Sequence, residues 1–83
     1  MKVAVTQECI DKGTRGAADD CPVAWGVREA LGESAPPDVI IQYDRVLLGN
    51  APQFQVVALP PEVPVFIDKY DRGFDVEPFE FEL

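Results

Sequence analysis

DVIIQYDRVLLGNAPQFQVVAL, residues 38–59, is the longest strand-forming run in the chain and sets its architecture. The part up to residue 48 is apolar and rich in β-branched side chains, which favours one strand or a strand interrupted near Asp44–Arg45. GNAP then supplies the glycine, asparagine and proline of a tight turn. QFQVVAL returns as an antiparallel partner with Phe54, Val56 and Ala58 on one face. This run therefore predicts a β-hairpin.

Helices are predicted on both sides of the hairpin. Upstream, Asp20 is an N-cap residue and Pro22 suits a first helical turn, so a helix is expected from Cys21 to Leu31, with Gly32 ending it. Downstream, PPEVPVFIDKYDRG reads as a second helix that ends at Gly73. TQECIDKG near the start has the cap and the glycine stop of a short helical turn.

Alternating apolar residues at the two ends of the chain predict a first and a last strand, KVAVT and FEFEL. The expected order is therefore β-α-β-β-α-β. We predict an α+β fold, with a small, mostly antiparallel sheet and two helices packed on one of its faces. Eighty-three residues correspond to a single domain, residues 1–83.

Helical spacing predicts which faces are buried. In the second helix one apolar stripe contains Val63, Phe66, Ile67 and Tyr70. In the first helix the predicted buried side contains Val23, Ala24, Val27, Ala30 and Leu31. Trp25 falls opposite, between Arg28 and Glu29. It is a candidate anchor for a protein interface, where tryptophan is enriched among hot spots; the alternative is that the loop GTRGAADD folds over it.

The charge balance is strongly acidic. Fifteen Asp and Glu face seven Lys and Arg, for a net charge of −8. This charge repels nucleic acid and anionic membranes, and favours a basic protein partner. No run is long enough for a signal peptide or a membrane span, so a cytoplasmic location is expected. Cys9 and Cys21 are then expected to be reduced, and the alternative is a disulfide between them.

The residues typical of catalytic and metal sites are scarce. The chain contains no histidine, Ser34 is its only serine, and Gly13 and Gly16 fit no phosphate-binding loop. DKYDRGFDVEPFE resembles a calcium loop only superficially, because Tyr70 and Arg72 would occupy ligand positions. We therefore expect no enzyme activity, metal or cofactor.

Acidic residues gather toward the carboxyl end. On a strand FEFEL, two successive glutamates on one face lie about 6.6 Å apart. These carboxylates form a candidate partner-binding surface that imitates a phosphate backbone, or else they protect an edge strand from pairing. The candidate residues are Asp68, Asp71, Asp75, Glu77, Glu80 and Glu82.

Several short motifs resemble a group of small, acidic phage and prophage proteins. The matching stretches are VTQE at 5–8, CPVA at 21–24, EAL at 29–31 and EPFEFEL at 77–83. Trp25 departs from this pattern, in which a smaller or aliphatic residue is expected. By type, the chain is also similar to anti-CRISPR proteins, which are compact, acidic and non-enzymatic. The resemblance implies an inhibitor that binds the basic nucleic-acid channel of a CRISPR effector complex.

Two further hypotheses remain. The chain could be a homodimeric interaction module that uses Trp25 or a free sheet edge. It could also be a small enzyme or a thiol switch that uses Cys9 and Cys21.

Overall fold

A computed structural model describes all 83 residues and shows an α+β fold, as predicted. Five strands form two antiparallel sheets, which are accompanied by three α-helices. The elements are β1 (Lys2–Val5), α1 (Gln7–Lys12), α2 (Pro22–Leu31), a 3-10 turn (Gly32–Ser34), β2 (Asp38–Gln42), β3 (Arg45–Asn50), β4 (Gln53–Ala58), α3 (Glu62–Asp71) and β5 (Phe79–Glu82).

The first sheet joins the two ends of the chain. β1 pairs with β5 in antiparallel register, with Val3 opposite Phe81 and Lys2 opposite Glu82. Val3, Val5 and Phe81 are buried on its inner face. The alternation read from FEFEL is confirmed, because Glu80 and Glu82 are exposed on the opposite face.

The second sheet is a meander of β2, β3 and β4. Its first turn is Tyr43–Asp44, one residue before the predicted break at Asp44–Arg45, and Tyr43 has a left-handed φ of 56°. The second turn contains Ala51 and Pro52, joined by a cis peptide bond. What was expected as one hairpin is therefore three strands, because the apolar run at residues 38–48 folds back on itself.

The single sheet and the two helices of the predicted arrangement are replaced by two sheets and three helices. α1 accounts for the third helix: Thr6 caps it by accepting a hydrogen bond from the Cys9 backbone N–H, and Gly13 follows its end. The sheets stay separate because β5 pairs only with β1, and β4 only with β3.

The core lies between the two sheets and the helices. Val23, Ala24 and Val27 of α2 are fully buried, as predicted, whereas Ala30 is exposed, contrary to the prediction. The buried stripe turns instead toward Gly26, where an added Cβ would lie 3.0 Å from the Ala4 carbonyl oxygen. Because glycine lacks a side chain, α2 packs closely on β1.

α3 buries the stripe that the sequence predicted. Val63 and Phe66 are buried, and Ile67 and Tyr70 pack against the core. The Tyr70 hydroxyl donates a hydrogen bond to the Gly13 carbonyl oxygen at 2.7 Å, which ties α3 to the end of α1. None of the helices is both long and apolar enough to cross a membrane.

Candidate functional site

The six acidic residues proposed from the sequence are all exposed, but they lie on different elements. Asp68 and Asp71 belong to α3, Asp75 and Glu77 to the segment that follows it, and Glu80 and Glu82 to β5. They do not form one continuous patch. Four of them line two grooves beside α3 and β5, whereas Asp68 and Asp71 line neither groove.

Asp75 and Glu77 line an open groove between α3 and the segment that leads to β5. Glu62, in the first turn of α3, lies on the same groove, and Lys69 is its only cation. Because three carboxylates and one ammonium group line this groove, its fixed charge is net negative.

A second groove adjoins the first at Glu62. It is lined by Glu62, Glu80 and Glu82, together with Lys2. Glu82 also contacts the amino group of Met1, with 3.5 Å between nitrogen and oxygen. Glu62 therefore lies at the junction of the two grooves and joins the carboxylates after α3 to those of β5.

Asp68 and Asp71 do not contribute to these grooves. Asp68 forms an ion pair with Arg72, with 3.2 Å between nitrogen and oxygen, one helical turn along. Asp71 accepts a hydrogen bond from the Gly16 backbone N–H at 3.1 Å and so holds the loop before α2. Both carboxylates have partners within the protein, which indicates a structural role.

The acidic residues also differ in whether they have a partner within the protein. Of the fifteen, six side chains make neither an ion pair nor a hydrogen bond within the protein: Asp19, Glu33, Glu62, Asp75, Glu77 and Glu80. Four of the six line the adjoining grooves. We call these four residues, Glu62, Asp75, Glu77 and Glu80, the acidic groove.

The acidic groove also has apolar walls. Phe66, Val76 and Phe79 contribute to it, and so does Val65, which is 56% exposed. Such a groove combines apolar contact surface with negative charge. It suits the long side chains of Lys and Arg, whose aliphatic stems pack on apolar surface while their heads remain solvated.

Glu62 was missed by the sequence reading. It occurs in a proline-rich helix start, where a glutamate is expected anyway because it interacts favourably with the helix dipole. Nothing in its local sequence points toward β5, about 18 residues downstream. Glu62 and Glu80 line the same groove only because α3 packs against the β1–β5 sheet in the folded protein. The local sequence therefore could not identify Glu62 as a site residue.

The strand that carries Glu80 and Glu82 is also an edge strand. β5 has one neighbour, β1, and its other edge is unpaired. Carboxylates on such a strand discourage pairing with another chain. Edge protection does not exclude partner binding, because both need the same thing, namely carboxylates exposed to solvent.

Trp25 is half-buried rather than fully exposed. Its indole Nε1 donates a hydrogen bond to Asp20 at 3.0 Å. Lys12 and Arg28 lie over the ring, at 5.5 and 5.2 Å from its centroid. These cation–π contacts and the hydrogen bond to Asp20 favour the alternative interpretation, in which Trp25 packs against the loop before α2 and is not an interface anchor.

The two cysteines are unpaired and buried. Burial raises the pKa of the Cys21 thiol above its ordinary value, which disfavours the reactive thiolate. Burial likewise raises the pKa of the Tyr70 hydroxyl. No three His, Cys, Asp or Glu side chains converge in a way that could hold a metal ion.

No family model, curated protein or solved structure matches the chain. The resemblance to small acidic phage proteins therefore stays a prediction.

Proposed function

We propose that the chain is a non-catalytic inhibitor that uses the acidic groove to bind a basic surface of a nucleic-acid-binding protein. The proposal rests on one observation above all: four carboxylates without a partner in the protein, Glu62, Asp75, Glu77 and Glu80, line two adjoining grooves. Because these carboxylates make no ion pair or hydrogen bond within the protein, their oxygens are free to accept hydrogen bonds from another molecule.

Electrostatics favours a cationic protein as that molecule. With a net charge of −8, the chain attracts basic surfaces over a distance of about one Debye length and speeds their encounter. The apolar walls of the groove then give Lys and Arg stems a surface to pack on. The same negative potential repels a nucleic acid.

The consequence for the partner is competition. Surfaces rich in Lys and Arg on nucleic-acid-binding proteins are occupied by phosphates when those proteins work. A domain that covers such a surface with carboxylates blocks DNA or RNA. A CRISPR effector complex is the partner we propose, by analogy with the phage-type resemblance; a homodimer through Trp25 is disfavoured by the contacts of that side chain.

Affinity capture from a nuclease-treated bacterial lysate tests this function. Immobilised chain is expected to retain a nucleic-acid-binding protein at about 50 mM NaCl and to lose most of it at about 500 mM, because salt screens the attraction. The retained protein, once purified, should bind labelled DNA or RNA less well when the chain is added. Capture that does not depend on salt, or a captured protein that binds nucleic acid equally well in the presence of the chain, would contradict the proposal.

A further inference from the structure

The outer edge of β4 is open. β4 pairs only with β3, and no backbone hydrogen bond from a loop covers its other side. The opposite edge of this sheet is different, because the Ile41 N–H of β2 donates to the Ala18 carbonyl oxygen at 2.8 Å. β5 has a free edge too, but carries Glu80 and Glu82. β4 has neither kind of protection.

The hydrogen-bond pattern shows which groups face outward. The Leu59 N–H donates to the Asp44 carbonyl oxygen at 2.8 Å, so this pair is bonded across the β3–β4 ladder. Bonded pairs alternate in antiparallel sheets. The N–H and C=O groups of Phe54, Val56 and Ala58 therefore point away from β3, toward the open edge.

The same strand is free of charge. Residues 53–58, QFQVVA, contain no Asp, Glu, Lys or Arg, and Val56 is 58% exposed. Across the sheet Val56 continues an apolar row with Leu47 and Ile40 on the outer face. Pro52 and Pro60 flank the strand, and because proline has no backbone N–H, pairing with another strand is limited to the residues between them.

We propose that β4 pairs with β4 of a second copy of this chain, antiparallel about a two-fold axis at Val56. The two three-stranded sheets then form one six-stranded sheet. Val56 lies opposite its own copy and Phe54 lies opposite Ala58, which satisfies every outward backbone group of the strand with about six hydrogen bonds.

Charge restricts where a second copy can associate. Two chains of net charge −8 repel each other, so they can associate only through a surface that brings no carboxylates together. The β4 strand itself carries no charged side chain, and its outward groups at residues 54, 56 and 58 are spaced evenly about Val56, so the edge is self-complementary. This interface does not involve the acidic groove. Added salt screens the repulsion between two copies and so strengthens the dimer, whereas added salt weakens the binding of a cationic partner to the acidic groove.

Analytical ultracentrifugation between about 10 and 500 μM chain tests the dimer. We expect a monomer–dimer equilibrium whose dimer fraction rises with NaCl. Val56→Lys places two ammonium groups opposite each other at the two-fold axis and should weaken the dimer about tenfold or more. Gln7→Lys, on the exposed side of α1, changes the net charge equally and should leave the dimer intact.

A cross-link tests the register independently. Val56→Cys should be joined to its own copy by a short bis-maleimide, because bonded antiparallel pairs place their Cα atoms about 5.5 Å apart. Val65→Cys, equally exposed on α3, should not be joined, and the native cysteines are buried.

Three results would overturn the proposal. The first is a chain that is monomeric at every concentration and salt. The second is a dimer that Val56→Lys does not weaken. The third is a monomeric chain whose β4 edge binds only an extended segment of another protein. None of them bears on whether the acidic groove binds a cationic partner.

Discussion

The indole of Trp25 donates its hydrogen bond to the carboxylate of Asp20 across 3.0 Å. The other carboxylate oxygen of Asp20 accepts a hydrogen bond from the Thr14 hydroxyl. The Arg28 guanidinium lies 3.9 Å from the oxygen that the indole binds. One carboxylate thus joins the loop before α2 to the outer side of that helix. Trp25 and Asp20 therefore contribute to stability.

We predict that Trp25→Ala lowers the free energy of unfolding by about 1–3 kcal/mol, which is less than for a fully buried aromatic because Trp25 is half-buried. Asp20→Ala should cost about 1–3 kcal/mol as well, since it leaves the indole N–H without its acceptor. Urea denaturation measures both. An unchanged midpoint for Trp25→Ala, together with weaker capture of a partner, would identify Trp25 as an interface residue instead.

Gly26→Ala is predicted to destabilise the protein although alanine is the better helix former. The added Cβ would lie 3.0 Å from the Ala4 carbonyl oxygen and 3.3 Å from the nearest methyl groups of Val3 and Val5. Forcing α2 away from β1 should cost about 1–3 kcal/mol, which exceeds the roughly 1 kcal/mol gained in helix propensity.

Thermal or urea unfolding checks this prediction, with Ala30→Gly as the control. Ala30 is exposed on the same helix, so its change to glycine should cost only about 0.5–1 kcal/mol, the ordinary backbone term. A more stable Gly26→Ala protein would mean that α2 and β1 are not in close contact.

Stability is predicted to fall at alkaline pH. Burial raises the pKa of both the Cys21 thiol and the Tyr70 hydroxyl, so their neutral forms are favoured in the folded state. This contribution is complete below the pKa values of the unfolded chain, about 8.5 and 10, and is lost as pH rises through the raised folded values.

Tyr70→Phe should make that alkaline decline shallower. At neutral pH it should also cost about 0.5–1.5 kcal/mol, since the hydrogen bond to the Gly13 carbonyl oxygen is lost. Unfolding free energies between about pH 7 and 11 test this. Tyr43→Phe is the control, because the Tyr43 side chain is exposed to solvent. An identical pH profile for Tyr70→Phe and the unmodified protein would disprove the assignment.

Much of the local structure could be predicted because it depends on short sequence patterns. Glycine and proline bound α2 and α3, the stripe from Val63 to Tyr70 has helical spacing, and FEFEL alternates. The turn at Tyr43–Asp44 was only suspected, because a tyrosine with positive φ gives no glycine signal. The division into two sheets depends on β1 meeting β5 from the far end of the chain, which no local pattern encodes.

The candidate site was predicted in part for the same reason. Charge alone selected six acidic residues, but whether each carboxylate is free depends on its neighbours in space. Asp68 and Asp71 have partners within the fold, and Glu82 contacts the Met1 amino group. Glu62 entered the site only through packing.

The central claim is that the partnerless carboxylates of the acidic groove act together on a cation, and not merely through net charge. Isothermal titration calorimetry with an arginine-rich peptide tests it most directly at about 50 mM NaCl. Two variants are compared: Glu62→Gln, Glu77→Gln and Glu80→Gln in the groove, and a control with Asp11→Asn, Asp19→Asn and Glu33→Gln elsewhere. Each changes the net charge by the same amount.

We predict that the groove variant binds the peptide about tenfold more weakly or worse, whereas the control variant stays within about twofold of the unmodified chain. Equal losses in the two variants would contradict the account, because the peptide would then respond to the overall charge and not to the groove.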